Sequence, residues 1–333
     1  MGYLGDSHGA RRPAWRPAAR PVAARGAVVL LFAALLWPGA AAAKRLTVVC
    51  TIAQICQPLD EIVGGEVNFD ALLGEGTDPH LYRLTRSDVA KLTRADIVLW
   101  SGLHLEAQMT PVMNRLAAAK PVVALSESLP EEKLLNDEEG ARDPHVWMDP
   151  ALWRHVLTKG VEVVAKADPE NAAAYRKSAQ RYFGRLEKLH RYIAKVISSV
   201  PEERRVMITA HDAFHYLGVR YDLEVLGIQG TSTESEAGLR RIENLVDLLV
   251  KRKIKAVFVE TTVTDRNVRA LIDGAAARGH KVVIGGSLYS DAMGTAGTYR
   301  GTYIGMMDHN ATTIATALGG AAPAGGMSGK LTE

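Results

Sequence analysis

Cysteine is almost absent from this chain: Cys50 and Cys56 are the only two in 333 residues. That leaves too few thiolates for a cysteine-built metal centre. The pair could bond to each other in an exported protein, but Cys50 ends an expected strand and Cys56 enters an expected helix, so a disulfide stays an open alternative. Long apolar runs are also missing. The run from Ala27 to Trp37 falls short of the roughly 20 residues that a membrane-spanning helix needs. An excess of one charge is missing as well, once position is considered. The formal charge is +3, yet five arginines and one aspartate lie within residues 1–43, leaving 35 basic against 36 acidic side chains in the remainder. A nearly neutral body carries no electrostatic footprint for nucleic acid, and none is expected as a partner. No internal repeat is present beyond a recurring Asp-Pro-His tripeptide.

What is present begins with an export signal. Arg11, Arg12, Arg16, Arg20 and Arg25 precede the apolar run, and Pro38-Gly39-Ala40-Ala41-Ala42-Ala43 follows it. A basic region, a short apolar region and small residues make the pattern of a secretory signal peptide, expected over residues 1–43 with cleavage near Ala43. An uncleaved anchor is the alternative. Arg11-Arg12 runs into Pro13 without a full twin-arginine motif, so simple positive charge is the preferred reading. No cysteine stands directly after the apolar region, so a bacterial lipoprotein anchor is not expected.

From Lys44 onward, β-branched runs alternate with helical stretches. Leu46–Thr51, Phe69–Leu73, Ile97–Ser101 and Val122–Leu125 read as strands, as do Val206–Ala210, Glu224–Ile228, Ala256–Glu260 and Val282–Ile284. Amphipathic segments such as Leu239–Lys251 and Asp265–Arg278 separate the second series. The expected fold is α/β with two lobes, each a mainly parallel sheet flanked by helices. Between the lobes, Asp168 as N-cap, Pro169 at the first helical position and Tyr175, Tyr182, Phe183, Leu186, Leu189, Ile193 and Val196 at helical spacing predict one long rigid joining helix. The expected divisions are an N-terminal lobe at 44–167, a linker helix at 168–200, a C-terminal lobe at 201–320 and a disordered Gly- and Ala-rich tail at 321–333.

Chemistry concentrates at the expected strand ends. His80 and His145 each close an Asp-Pro-His tripeptide, His211 follows the apolar run Val206–Ala210, and Asp291 stands past the β-rich run Val282–Ile284. Ligands of open α/β sheets collect at the carboxyl ends of strands, so these four residues converge on one cleft. Three imidazoles and a carboxylate suit Zn(II) or another transition metal better than calcium or magnesium. Any one of them alone would read as a bystander, and Asp-Pro is a common turn element. Asp78, Asp143 and Asp212 are candidates for orienting a ligand histidine through its other ring nitrogen, with turn formation the equal alternative for the first two. His104, His155, His190, His280 and His309 read as structural or surface residues.

Five segments share one family's motifs in order: Gly76-Thr77-Asp78-Pro79-His80, Ser101–Glu106, Asp143–Asp149, Thr209–Phe214 and Ser290–Gly294. From about Lys44 to Leu318 the chain resembles the metal-binding solute-binding proteins of ABC importers, the periplasmic zinc and manganese receptors. The resemblance implies His80, His145, His211 and Asp291 as ligands of one Zn(II) or Mn(II) carried as transported cargo. It further implies a periplasmic monomer that delivers its ion to a membrane ABC permease, with no catalysis. His211 stands where some receptors have Glu, which shifts the expectation modestly toward zinc. The stretch Glu127–Arg142 has acids but no histidine, unlike zinc-dedicated relatives.

Two alternatives remain at this level. A surface adhesin role is compatible with the resemblance. His211-Asp212-Ala213-Phe214-His215 is close to the His-Glu-x-x-His of zinc metallohydrolases, which needs both histidines on one face of a helix. Here His211 is expected in a loop directly after a strand, which disfavours that chemistry.

Overall fold

The computed structural model describes residues 45–332. The expected signal peptide therefore lies outside the described residues. In chain order the elements of the first lobe are β1 Thr47–Cys50, α1 Ala53–Val63, β2 Asn68–Ala71, α2 Arg86–Arg94, β3 Ile97–Trp100, α3 Thr110–Ala117, β4 Val122–Ala124 and α4 Pro150–Ala167. α5 Ala172–Ser198 then leads to β5 Val206–Thr209, α6 His215–Tyr221, β6 Glu224–Gly227, α7 Leu239–Arg252, β7 Ala256–Glu260, α8 Arg266–Ala277, β8 Val283–Leu288 and α9 Tyr303–Ala317. Among the described residues no helix is long and apolar enough to cross a membrane.

All strand pairs are parallel. The first lobe holds a four-stranded sheet in the order β2-β1-β3-β4, covered by helices, which is why β3 and β1 after Thr47 read as continuous apolar runs rather than alternating. In the second lobe the ladders form two pairs, β5-β6 and β7-β8. All eight expected strands form. β8 runs on to Leu288 through Gly285-Gly286, and a Cβ at Gly286 would sit 2.3 Å from the Thr313 side chain of α9. Two glycines in a strand mark that close helix approach.

The joining helix differs in its start. α4 ends at Ala167 and α5 begins at Ala172, so Asp168 and Pro169 lie in the turn between two helices. Asp168 serves that turn, accepting from Asn171 Nδ2 at 2.9 Å and from the Tyr175 hydroxyl. Tyr175, Tyr182, Phe183, Leu186, Leu189, Ile193 and Val196 are all buried, and they belong to one apolar cluster with β1 residues and with Met306, Met307 and Ile314 of α9. A smaller second cluster joins Ile208, Leu249, Val257 and Leu271 within the second lobe. Residues 321–332, expected as a disordered tail, instead run as turns against α9. The Met327 amide donates to Asp308 Oδ1 at 2.9 Å, and Leu331 is buried. Composition misses this because much of the anchoring comes from backbone groups of the tail bonded to the side chains of Asp308, Ser199 and Arg300.

Cys50 and Cys56 are bonded to each other, with Cα atoms 5.6 Å apart. The pairing left open by the sequence is thus made between the end of β1 and the first turns of α1.

Candidate metal centre

Each expected ligand sits beyond a strand. His80 lies between β2 and α2, His145 precedes α4, His211 follows β5, and Asp291 follows β8. The two Asp-Pro-His turns are built alike: Asp78 Oδ1 accepts the His80 amide at 2.8 Å, and Asp143 Oδ1 accepts the His145 amide at 2.9 Å. Proline fixes the bend between acceptor and donor. Turn formation is therefore a role of both aspartates.

The four side chains meet. Asp291 Oδ1 lies 3.3 Å from His145 Nε2, while Asp291 Oδ2 lies 3.2 Å from His211 Nε2 and 3.9 Å from His80 Nε2. His80 Nε2 and His145 Nε2 are 3.4 Å apart. Ligands about 2.0–2.2 Å from a tetrahedral ion stand roughly 3.4 Å from one another, so the spacing is that of a coordination shell. All four residues are buried, and one ligand atom from each lies within 4.8 Å of the others, a group able to hold one metal ion. His211 Nε2 and both Asp291 oxygens have no hydrogen-bond partner. Buried polar atoms turned on one another without partners are costly, and a cation between them removes the cost. Because both oxygens of Asp291 face imidazoles, the carboxylate can bind an ion through one or both.

Carboxylates behind the histidines fix which nitrogen faces inward. Asp143 Oδ1 lies 2.8 Å from His145 Nδ1, so it orients that ring as well as its turn. Asp78 takes no such role; its second oxygen accepts the Thr233 hydroxyl at 2.6 Å. Glu260, at the end of β7, lies 2.6 Å from His211 Nδ1, and its Oε1 accepts the His211 amide at 2.8 Å. Sequence reasoning missed Glu260, although its place at a strand's carboxyl end follows the rule that picked out the ligands. Asp212, the third candidate, forms no such contact with a ligand ring.

Charge is distributed unevenly. Burial pushes His80 down to about 3. Burial also opposes protonation of His145, but the carboxylates of Asp143 and Asp291 outweigh it and hold the ring up to about 9. His211 is likewise raised well above its ordinary value, since Glu260 and Asp291 override its burial. Burial would raise Asp291, yet His211 and His145 keep it well below the usual carboxylate range.

Among the described residues, the other histidines stay outside. His104 is exposed on a left-handed turn, with φ of 65°. His155, His280 and His309 make backbone contacts to Ser128, Ile254 and Ser287, and His190 meets the Tyr221 hydroxyl. His215 begins α6 while His211 precedes it, so the two do not share a helix face. Its Nδ1 lies 4.0 Å from Asp143 Oδ2 and takes no part in the cluster. The geometry a metallohydrolase helix requires is not formed.

Residues 48–317 match the family described as zinc-uptake complex component A, periplasmic. The chain belongs to that family. It is 45% identical over 281 residues to the manganese-binding lipoprotein MntA of Bacillus subtilis, covering 84% of this chain and 92% of that one. It is 30% identical over 282 residues to SloC of Streptococcus mutans, a metal ABC transporter substrate-binding lipoprotein, covering 83% of this chain and 90% of its relative. The solved structure of the periplasmic zinc-binding protein TroA from Treponema pallidum superimposes with a TM-score of 0.81 at 44% identity, covering 82% of this chain and 99% of that one.

Proposed function

We propose that this chain captures one Zn(II) or Mn(II) ion outside the cytoplasm and hands it to the permease of an ABC importer. The observation that carries this reading is the closed set of His80, His145, His211 and Asp291, drawn from both lobes and buried without other partners at the inward-facing atoms. In this reading the four residues are the ligands, and the ion is cargo. Four protein ligands leave no obligatory open position for a reactive water, so no catalysis is part of the proposal. The relatives support the partner and the place: one is named for manganese, one for zinc, and one as a component of a metal ABC transporter.

The same proposal treats residues 44–167 and 201–320 as the lobes and 168–200 as the joining segment, with the chain acting as a monomer without nucleic acid. The division into lobes is supported by the β1–β4 sheet and the β5–β8 ladders falling on either side of α5 in the chain. Three imidazoles with one carboxylate suit zinc, and a carboxylate binding through both oxygens suits manganese. Irving–Williams ordering means that tight zinc binding in vitro does not identify the ion served in the cell.

Elemental analysis of the protein purified without added metal tests the reading, beside His211→Ala and Asp291→Ala. About one zinc or manganese per chain is expected, lost in both variants. Undiminished metal content in either variant would sink the assignment of that ligand, and no metal after reconstitution would sink the function.

A further inference from the structure

The segment that carries Asp291 is tied to the first lobe by buried hydrogen bonds at its two ends. At its start, the buried Gln54 Nε2 donates to the Asp291 carbonyl at 2.9 Å, and the buried Trp147 Nε1 donates to the preceding carbonyl, Ser290, at 3.0 Å. At its far end, the Tyr303 amide donates to Gln57 Oε1 at 2.9 Å and the Tyr303 hydroxyl donates to the Trp147 carbonyl at 2.7 Å. Between them, a cavity of about 460 Å³ is lined by Ile52, Phe69 and Leu73 of the first lobe and by Met293, Gly294 and Gly297 of the segment. The Thr295 hydroxyl reaches Glu75 at 2.7 Å across this gap, but that contact is exposed, and exposed bonds compete with water.

Gln54 and Gln57 lie on one face of α1, three residues apart. The Cys50–Cys56 disulfide ties the first turns of that helix to the end of β1, and Trp153 Nε1 donates to the Gln54 carbonyl at 3.3 Å. The donor is therefore held by covalent and packed neighbours, whereas the acceptor belongs to a loop.

Resting on the reading of the site as a metal-capture centre, we propose that Gln54 and Trp147 form a latch across the lobes that sets how long the ion stays bound. Neither touches the ion. Each is a positioning residue that grips the backbone beside Asp291, so the carboxylate leaves the shell only when two buried hydrogen bonds on adjacent carbonyls open. The carbonyls freed by removing a donor would remain buried and unpaired in the closed form, which raises its energy without altering the four ligands.

The test follows release of Co(II) from the purified protein by stopped-flow mixing with excess chelator. Gln54→Met keeps the side-chain length and removes the donor; Trp147→Phe keeps an aromatic ring against His145 and removes the indole N–H. Each variant should release the ion about three- to tenfold faster, the equivalent of one net buried hydrogen bond, with the association rate and the ligand-field spectrum of bound Co(II) unchanged. Gln108→Ala, which removes an exposed cross-lobe bond to Glu234, should release at the parent rate. Parent release rates in both latch variants, or an altered Co(II) spectrum in either, would overturn the latch while leaving metal capture intact. Failure of the unmodified protein to bind Co(II) at all would instead overturn the metal-capture reading on which the latch rests.

Discussion

Before an ion arrives, the carboxylates of Asp143 and Asp291 favour a protonated His145 at neutral pH, Glu260 and Asp291 push His211 in the same direction, and burial keeps His80 neutral. Metal binds the neutral ring, so uptake must expel the proton of His145 and whatever proton His211 carries. At least one proton should leave per ion at pH 7, and affinity should keep rising with pH through the His145 value of about 9. Calorimetry in buffers of different protonation enthalpy measures this directly, and uptake without proton release would contradict it. The sequence, read with unperturbed rings, places the fall in affinity below about 6.5; the buried acids move it upward. The same shift has a sign for stability. A folded-state value above the unfolded one stabilises the metal-free fold fully below about 6.5, and that contribution fades as pH rises toward 9. The cluster of His80, His145, His211 and Asp291 was legible because the Asp-Pro-His turns and the strand-end positions are local patterns. The contacts of Glu260, Gln54 and Trp147 were not, since each acts on a residue remote in sequence; Trp147 lies in the Asp143–Asp149 motif, but nothing local shows that its indole reaches the Ser290 carbonyl.

Among the elements, the eight strands were legible because a parallel sheet covered by helices writes itself as short apolar runs. The boundary of α5 was not: Asp168-Pro169 has the composition of a helix start, but its carboxylate is taken by Asn171 and Tyr175 of the turn. At 27 residues and about 1.5 Å per residue, α5 is roughly 40 Å long. Its one internal glycine, Gly184, is exposed, and nothing lies within 4 Å of a Cβ built there. Gly184→Ala should therefore stabilise the protein by about 0.5–1 kcal/mol, since alanine loses less backbone freedom in a helix. Denaturant unfolding of the metal-free protein would show it, with metal affinity unaltered. A loss of stability would mean that the helix is bent or crowded at that point.

At the scale of the whole molecule, α5 shares one apolar cluster with β1 of the first lobe and with α9 of the second. Wide hinge opening would tear that cluster, whereas a tilt of loops at the cleft would not. Small-angle scattering should accordingly give nearly the same radius of gyration for the metal-loaded and chelator-stripped protein; a large expansion on stripping would contradict the rigid connection.

The proposed ligands stand at positions 80, 145, 211 and 291, so the cluster is complete only when both lobes have folded and met. Metal then stabilises the finished protein and no fragment of it, by an amount that grows with the logarithm of free ion concentration over Kd. The melting temperature of this protein thereby becomes a gauge of free metal. A chain stopped short of Asp291 gives no reading on that gauge, because it lacks the carboxylate around which the three imidazoles are arranged.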